Sequence, residues 1–128
     1  MRRREMSRLE ESAVRLMEWY EETLDQCGLF LLEEEDLIIE HHIFEEFDTG
    51  VYSFFHESNL KQLYAAGLIN FEIMNKSLEL RRTVMTLLQG SEERTAQQVR
   101  ISRSWREVMK SCEEIKRLLK RYKRCDLL

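Results

Sequence analysis

Residues 95–122 read TAQQVRISRSWREVMKSCEEIKRLLKRY, and the period of their apolar side chains decides the fold. Ile101, Trp105, Val108, Cys112, Ile115, Leu119 and Tyr122 recur at spacings of 4, 3, 4, 3, 4 and 3, which is the seam of an amphipathic helix. Thr95 and Gln98 stand at capping-box spacing, so the helix is predicted to start at Thr95. A heptad period favours left-handed helix packing. The segment therefore reads as the long outer helix of a bundle or, alternatively, as one strand of a homodimeric coiled coil joined through the face Ile101–Tyr122.

The rest of the chain repeats the helical pattern. The 128 residues contain no proline, so no helix is interrupted by one, and only four glycines, Gly28, Gly50, Gly67 and Gly90. Each glycine follows an amphipathic stretch and is predicted to be a left-handed helix cap. Before Gly28, Ser7 and Glu10 form a capping box, and Met6, Leu9, Ala13, Leu16 and Tyr20 line one face, widened by Val14, Met17 and Leu24. A second helix is predicted from about Glu33 to Phe47, with Leu37, Ile38, Ile39, Ile43, Phe44 and Phe47 on its buried side. Two short helices are expected between Gly50 and Gly67, the latter capped by Ser58, and another long one from Asn70 to Gln89. The expectation is an all-α fold, a single domain over residues 1–128 built as a bundle of five or six helices. Its N- and C-terminal helices are long, and residues 1–6 and 125–128 are expected to fray.

Composition excludes several classes. At 43% hydrophobic and 34% charged, the chain is neither collagenous nor broadly disordered. No apolar run approaches a membrane span. After Met1–Arg4, the acidic Glu5, Glu10 and Glu11 stand where an export signal needs an apolar run, so a cytoplasmic protein is expected. Cys27, Cys112 and Cys125 are too few and too widely spaced for a disulfide framework and read as reduced thiols.

The net charge of −4 conceals a larger segregation. Residues 1–15 carry +2, residues 16–60 carry −13 and residues 61–128 carry +7. Between residues 16 and 60 there is no Lys or Arg, only Glu18, Glu21, Glu22, Asp25, Glu33, Glu34, Glu35, Asp36, Glu40, Glu45, Glu46, Asp48 and Glu57. Such side chains are seldom buried unpaired. They face water, a partner, or the basic residues of the last helix, which run from Arg103 through Lys116 to Arg124.

Chemistry is harder to find. Glu40, His41, His42, Glu45 and Glu46 place His and carboxylate at i,i+4, a spacing that brings two ligands to one ion, but the pattern of a di-iron bundle is missing. The reading is local His–carboxylate hydrogen bonding with no metal and no cofactor. No nucleophile motif accompanies the histidines, and the isolated glycines make no phosphate loop, so no catalytic residue is assigned and the chain is read as a non-enzyme. Leu60–Ile69 resembles the end of a helix-turn-helix unit, yet Lys61 is its one cation, so it reads as a helix cap. Aromatic side chains beside the acidic stretch, Tyr52, Phe54, Phe55 and Tyr64, are candidate anchors.

At class level the chain resembles bacterial immunity proteins that neutralise nuclease toxins. The resemblance rests on size, on Glu33–Asp36, Glu40, Glu45, Glu46 and Asp48, and on the stretch around Ser77-Leu78-Glu79-Leu80-Arg81 with Trp105. It implies a binding protein whose acidic face meets a basic partner, steered there by charge. The expected partner-binding residues, taken from charge alone, are Glu33, Glu34, Glu35, Asp36, Glu40, Glu45, Glu46, Asp48, Tyr52 and Phe55. The alternatives are a nucleic-acid-associated regulator using its basic C-terminal helix, and a structural coiled-coil dimer.

Overall fold

Tyr20 organises the core. It lies on the buried face of α1 (Arg8–Asp25) with Ala13, Leu16, Met17 and Leu24, stacks on Phe55 with ring centroids 4.7 Å apart, and shares a 2.6 Å hydrogen bond with the buried Ser77 hydroxyl. The computed structural model describes residues 8–90 and 94–126, with the side chains of Leu9, Glu10, Cys125 and Asp126 outside the description. The Ser7 capping box and the expected fraying of residues 1–6 thus lie outside the described residues.

After α1 come a 3-10 turn (Leu29–Glu33), α2 (Asp36–Glu40), a π-helical segment (His41–Phe47) and α3 (Asp48–Ser53). These last three form one uninterrupted rod, because the caps between them keep helical dihedrals. Then come α4 (Glu57–Ala65), α5 (Phe71–Gln89), α6 (Ala96–Ile101) and α7 (Arg103–Asp126). Counted with the rod as one, the described residues make six helices and no strand, the all-α bundle that the periodicity predicts. Helix α7 packs along α5 and α1, α4 closes against α1 and α5, and α2 meets α6. Cys125 and Asp126, expected to fray, still belong to α7.

The rod departs from expectation. Ile39, Ile43, Phe47, Val51 and Phe55 are all fully buried at a strict spacing of four. At 3.6 residues per turn such a repeat drifts by about 40° per step, and the wider i→i+5 turn of the π segment takes that drift back. Leu37, predicted on the buried side, is instead 79% exposed, and Ile38 is partly exposed.

One glycine behaves as predicted. Gly67 has φ +76° and closes a Schellman motif, with Leu68 N–H donating to Leu63 O and Gly67 N–H to Tyr64 O, each at 3.0 Å. Gly28 and Gly90 are extended, and Gly50 is helical, inside α3, facing Thr23 of α1. Helix α4 is capped by His56, whose Nδ1 accepts from Ser58 N–H, rather than by Ser58.

The last helix is two. Ser102 is extended and breaks it, and its Oγ caps α7 by accepting from Trp105 N–H at 3.2 Å. Thr95 caps α6 as predicted, accepting from Gln98 N–H at 3.2 Å. The break turns Ile101 outward, whereas Trp105, Val108, Cys112, Ile115 and Leu119 are buried and Tyr122 half-buried. The heptad face is therefore consumed within the chain. A homodimer through Ile101–Tyr122 has no apolar seam left to use.

Candidate protein-docking site

The acidic stretch is divided between two fates. Along one flank the chain's own cations clasp it: Lys123 meets Glu21 at 2.8 Å, Lys116 meets Asp25 at 3.2 Å, Arg100 meets Asp36 at 2.6 Å and Arg94 meets Asp48 at 3.0 Å. Glu57 pairs locally with Lys61 at 3.1 Å, and that ammonium draws its carboxyl below the usual carboxylate range. Glu40 accepts from the backbone N–H of Ala96 at 2.9 Å, so it anchors α6. Arg100 also donates to the Glu34 carbonyl at 2.6 Å.

The other fate is a pocket. Trp19, Glu22, Thr23 and Gln26 of α1 face Glu45 and Glu46 of the π segment across a surface cavity of about 200 Å³, closed by Thr49, Gly50 and Phe54. Close approach of the two rods is set by Gly50, since a Cβ there would lie 2.2 Å from Thr23 Oγ1. The widened π turn presents Glu45 and Glu46 consecutively on one rim. Trp19 is 43% exposed and leans on Phe54, centroids 5.2 Å apart and planes tilted by 30°. His41 donates from Nδ1 to Glu45 and lies 3.7 Å from Glu46 through Nε2, while His42 donates from Nδ1 to Gln26 Oε1 at 2.6 Å. These links hold the rim in place. Among the described residues, Glu22, Glu45 and Glu46 have no Lys or Arg partner.

Of the residues expected to bind a partner, the structure brings Glu45 and Glu46 together. Glu33, Glu34 and Glu35 lie on and after the 3-10 turn, outside the pocket, with Glu33 and Glu35 exposed. Asp36, Glu40 and Asp48 are engaged within the fold as described, and Tyr52 is 63% exposed. Phe55 corrects the reading: it is fully buried under Tyr20 and is a core residue, not an anchor. Phe54 is among the aromatic candidates named from sequence, whereas Trp19, Glu22 and Gln26 were not assigned as partner-binding residues. Trp19 did carry a signal, since it sits one place off the buried arc of α1, on a face otherwise made of Glu18 and Glu22.

Among the described residues, no three His, Cys, Asp or Glu side chains gather to hold an ion. Burial pushes the Cys27 thiol well up, with Cys112 beside it adding to the effect, so the nucleophilic thiolate is disfavoured. No helix among them is long and apolar enough to cross a membrane. No protein-family model matches the chain, no curated protein matches it, and no solved structure matches it.

Proposed function

We propose that this chain is a non-enzymatic binding protein whose acidic face docks on a basic protein surface, with the pocket between α1 and the π segment as its centre. The observation that carries the reading is the set Glu22, Glu45 and Glu46, unmatched by any described cation, around exposed Trp19 and the half-buried Phe54 it leans on. An arginine entering there stacks its guanidinium on the indole while the rim carboxylates accept its N–H groups. Exposed Tyr52 supplies apolar contact on the same helix as Gly50. A nuclease toxin, the partner that the class-level resemblance implies, presents such a surface because its substrate is a polyanion.

The test is a titration with an arginine-rich peptide, followed by Trp19 emission in a Trp105→Phe background. Saturable binding is expected, weakened about tenfold or more by Glu45→Lys with Glu46→Lys, mainly through the association rate, and weakened again by salt. Arg117→Glu with Arg121→Glu should change it little. Binding that ignores the rim reversals would sink the proposal.

A further inference from the structure

The outer face of α7 carries a second charged surface, of opposite sign and independent of the pocket. Arg103, Arg106, Lys110, Arg117, Lys120, Arg121 and Arg124 are all exposed. Their spacings of 3, 4, 7 and then 3 or 4 residues put them on one stripe opposite the buried seam from Trp105 to Leu119. From Arg103 to Arg124 the stripe is about 32 Å long at 1.5 Å per residue. Among the described residues, Lys110 alone of the seven has a carboxylate partner, Glu107 at 3.8 Å. The neighbouring acids are turned aside: Glu113 accepts from Leu29 N–H at 2.7 Å, and Glu114 meets Lys76 at 3.5 Å.

The fold does not need this stripe. Internal neutralisation is done by other cations, Lys116 and Lys123 on the flank of α7 and Arg94 and Arg100 before it. Arg103 and Arg106 also stand in the first turn of α7, where the helix dipole favours carboxylates and none is present. Like charges three and four apart repel along the same helix. The arrangement costs stability and is explained by an external anion.

We infer that this stripe binds the phosphate backbone of a nucleic-acid duplex, without reading its sequence. A row of exposed arginines and lysines matches a regular row of phosphodiesters, and release of condensed counterions drives the association. A single strand is disfavoured because the stripe offers no ring for bases to stack on: Trp105 is buried, and Tyr122 donates its hydroxyl to Gly67 O at 2.7 Å. A membrane surface is disfavoured because the apolar side of α7 is spent on the core, leaving nothing to insert.

The experiment is anisotropy of a labelled mixed-sequence duplex of about 20 base pairs with the full chain, across about 50 to 200 mM KCl. Expected is binding whose log–log salt slope is about −4 to −5, as for on the order of five phosphates. Arg117→Glu with Arg121→Glu should weaken it about tenfold or more and flatten the slope. The same charge change placed off the stripe, Arg15→Glu with Arg82→Glu, should cost less than about twofold. Far-UV circular dichroism checks folding, and Arg106→Gln with Arg117→Gln and Arg121→Gln is the second variant, milder for the helix and expected to weaken binding in the same direction. No duplex binding at low salt, or equal loss from the off-stripe pair, would overturn the inference. Tighter binding to vesicles of phosphatidylserine and phosphatidylcholine than to duplex would overturn it in favour of a lipid surface.

Discussion

Gly50 lies against Thr23 with no room for a methyl group between them: a Cβ on Gly50 would come within 2.2 Å of Thr23 Oγ1 and 2.6 Å of its Cγ2. Thr23 cannot swing aside freely, because its side chain is buried and its hydroxyl donates to Trp19 O at 2.8 Å. Helix propensity favours Gly50→Ala by about 1 kcal/mol, but overpacking costs about 1–3 kcal/mol or more. Net destabilisation is expected in urea unfolding, partly relieved in the double variant with Thr23→Ala. Gly67→Ala is expected to destabilise for a different reason, left-handed strain of about 1–2 kcal/mol in open space, and Gly67→Asn to recover much of it.

The buried pair Tyr20–Ser77 gives a pH signature. Desolvation raises the Tyr20 phenol above its ordinary value near 10, against the smaller opposing effect of its Ser77 hydrogen bond. The folded state therefore keeps a proton that the unfolded chain releases, so this contribution is complete below about pH 10 and lost as pH rises above it. The raised Cys27 thiol acts with the same sign, from its ordinary value of about 8.5 upward. Tyr20→Phe should cost about 1–2 kcal/mol at neutral pH, since Ser77 loses its partner, yet flatten the decline above pH 10 or so. Thermal melts against pH check both halves. The double variant with Ser77→Ala should cost less than the two singles together.

Ile101 and Ile115 occupy equivalent places in the heptad count but not in the molecule. Ile101 is 66% exposed and Ile115 is 1% exposed. Ile115→Ala should cost about 2–5 kcal/mol, and Ile101→Ser should stay within about 0.5 kcal/mol. A strong effect at Ile101, together with a mass that rises with concentration, would restore the coiled-coil dimer.

Glu40 and Glu45, five residues apart in the acidic run, should separate stability from binding. Glu40 accepts the first free N–H of α6, so Glu40→Ala should lower stability by about 1 kcal/mol. It should leave association with a basic peptide nearly unchanged. Glu45→Ala should do the reverse, and unfolding curves beside stopped-flow association rates would show it.

Much of the helical layout is legible in the residues alone. Helix α5 with its Asn70 cap and the Gly67 turn come from spacing and cap chemistry, because nothing long-range competes with them. The buried face of α1 is read the same way, except that Val14, counted on that face, is 40% exposed. The π segment was hidden by the assumption of 3.6 residues per turn, although the four-residue repeat Ile39, Ile43, Phe47, Val51, Phe55 contained it. The break at Ser102 was masked because the apolar spacing runs across it without a fault, while its cap, Ser102 three before Trp105, was in plain view. Charge segregation was readable, but not which carboxylates would be claimed internally, since that depends on how α6 and α7 dock beside the rod. The pocket itself needs α1 and the rod to touch, and the contacts that join them, Gly50–Thr23, His42–Gln26 and Trp19–Phe54, are all long-range.

The widened turn between His41 and Phe47 also bears on the length of this chain. Its surplus residue acts as a spacer: rewinding the same seven residues at the ordinary 3.6 per turn would swing the downstream half of the rod by roughly 100°, whereas deleting one of them would let ordinary winding return with that half nearly in place. Gly50 would then still meet Thr23, and Val51 and Phe55 would still face the interior. Divergent descendants should accept loss of one residue within this span far more readily than loss of one elsewhere in the rod.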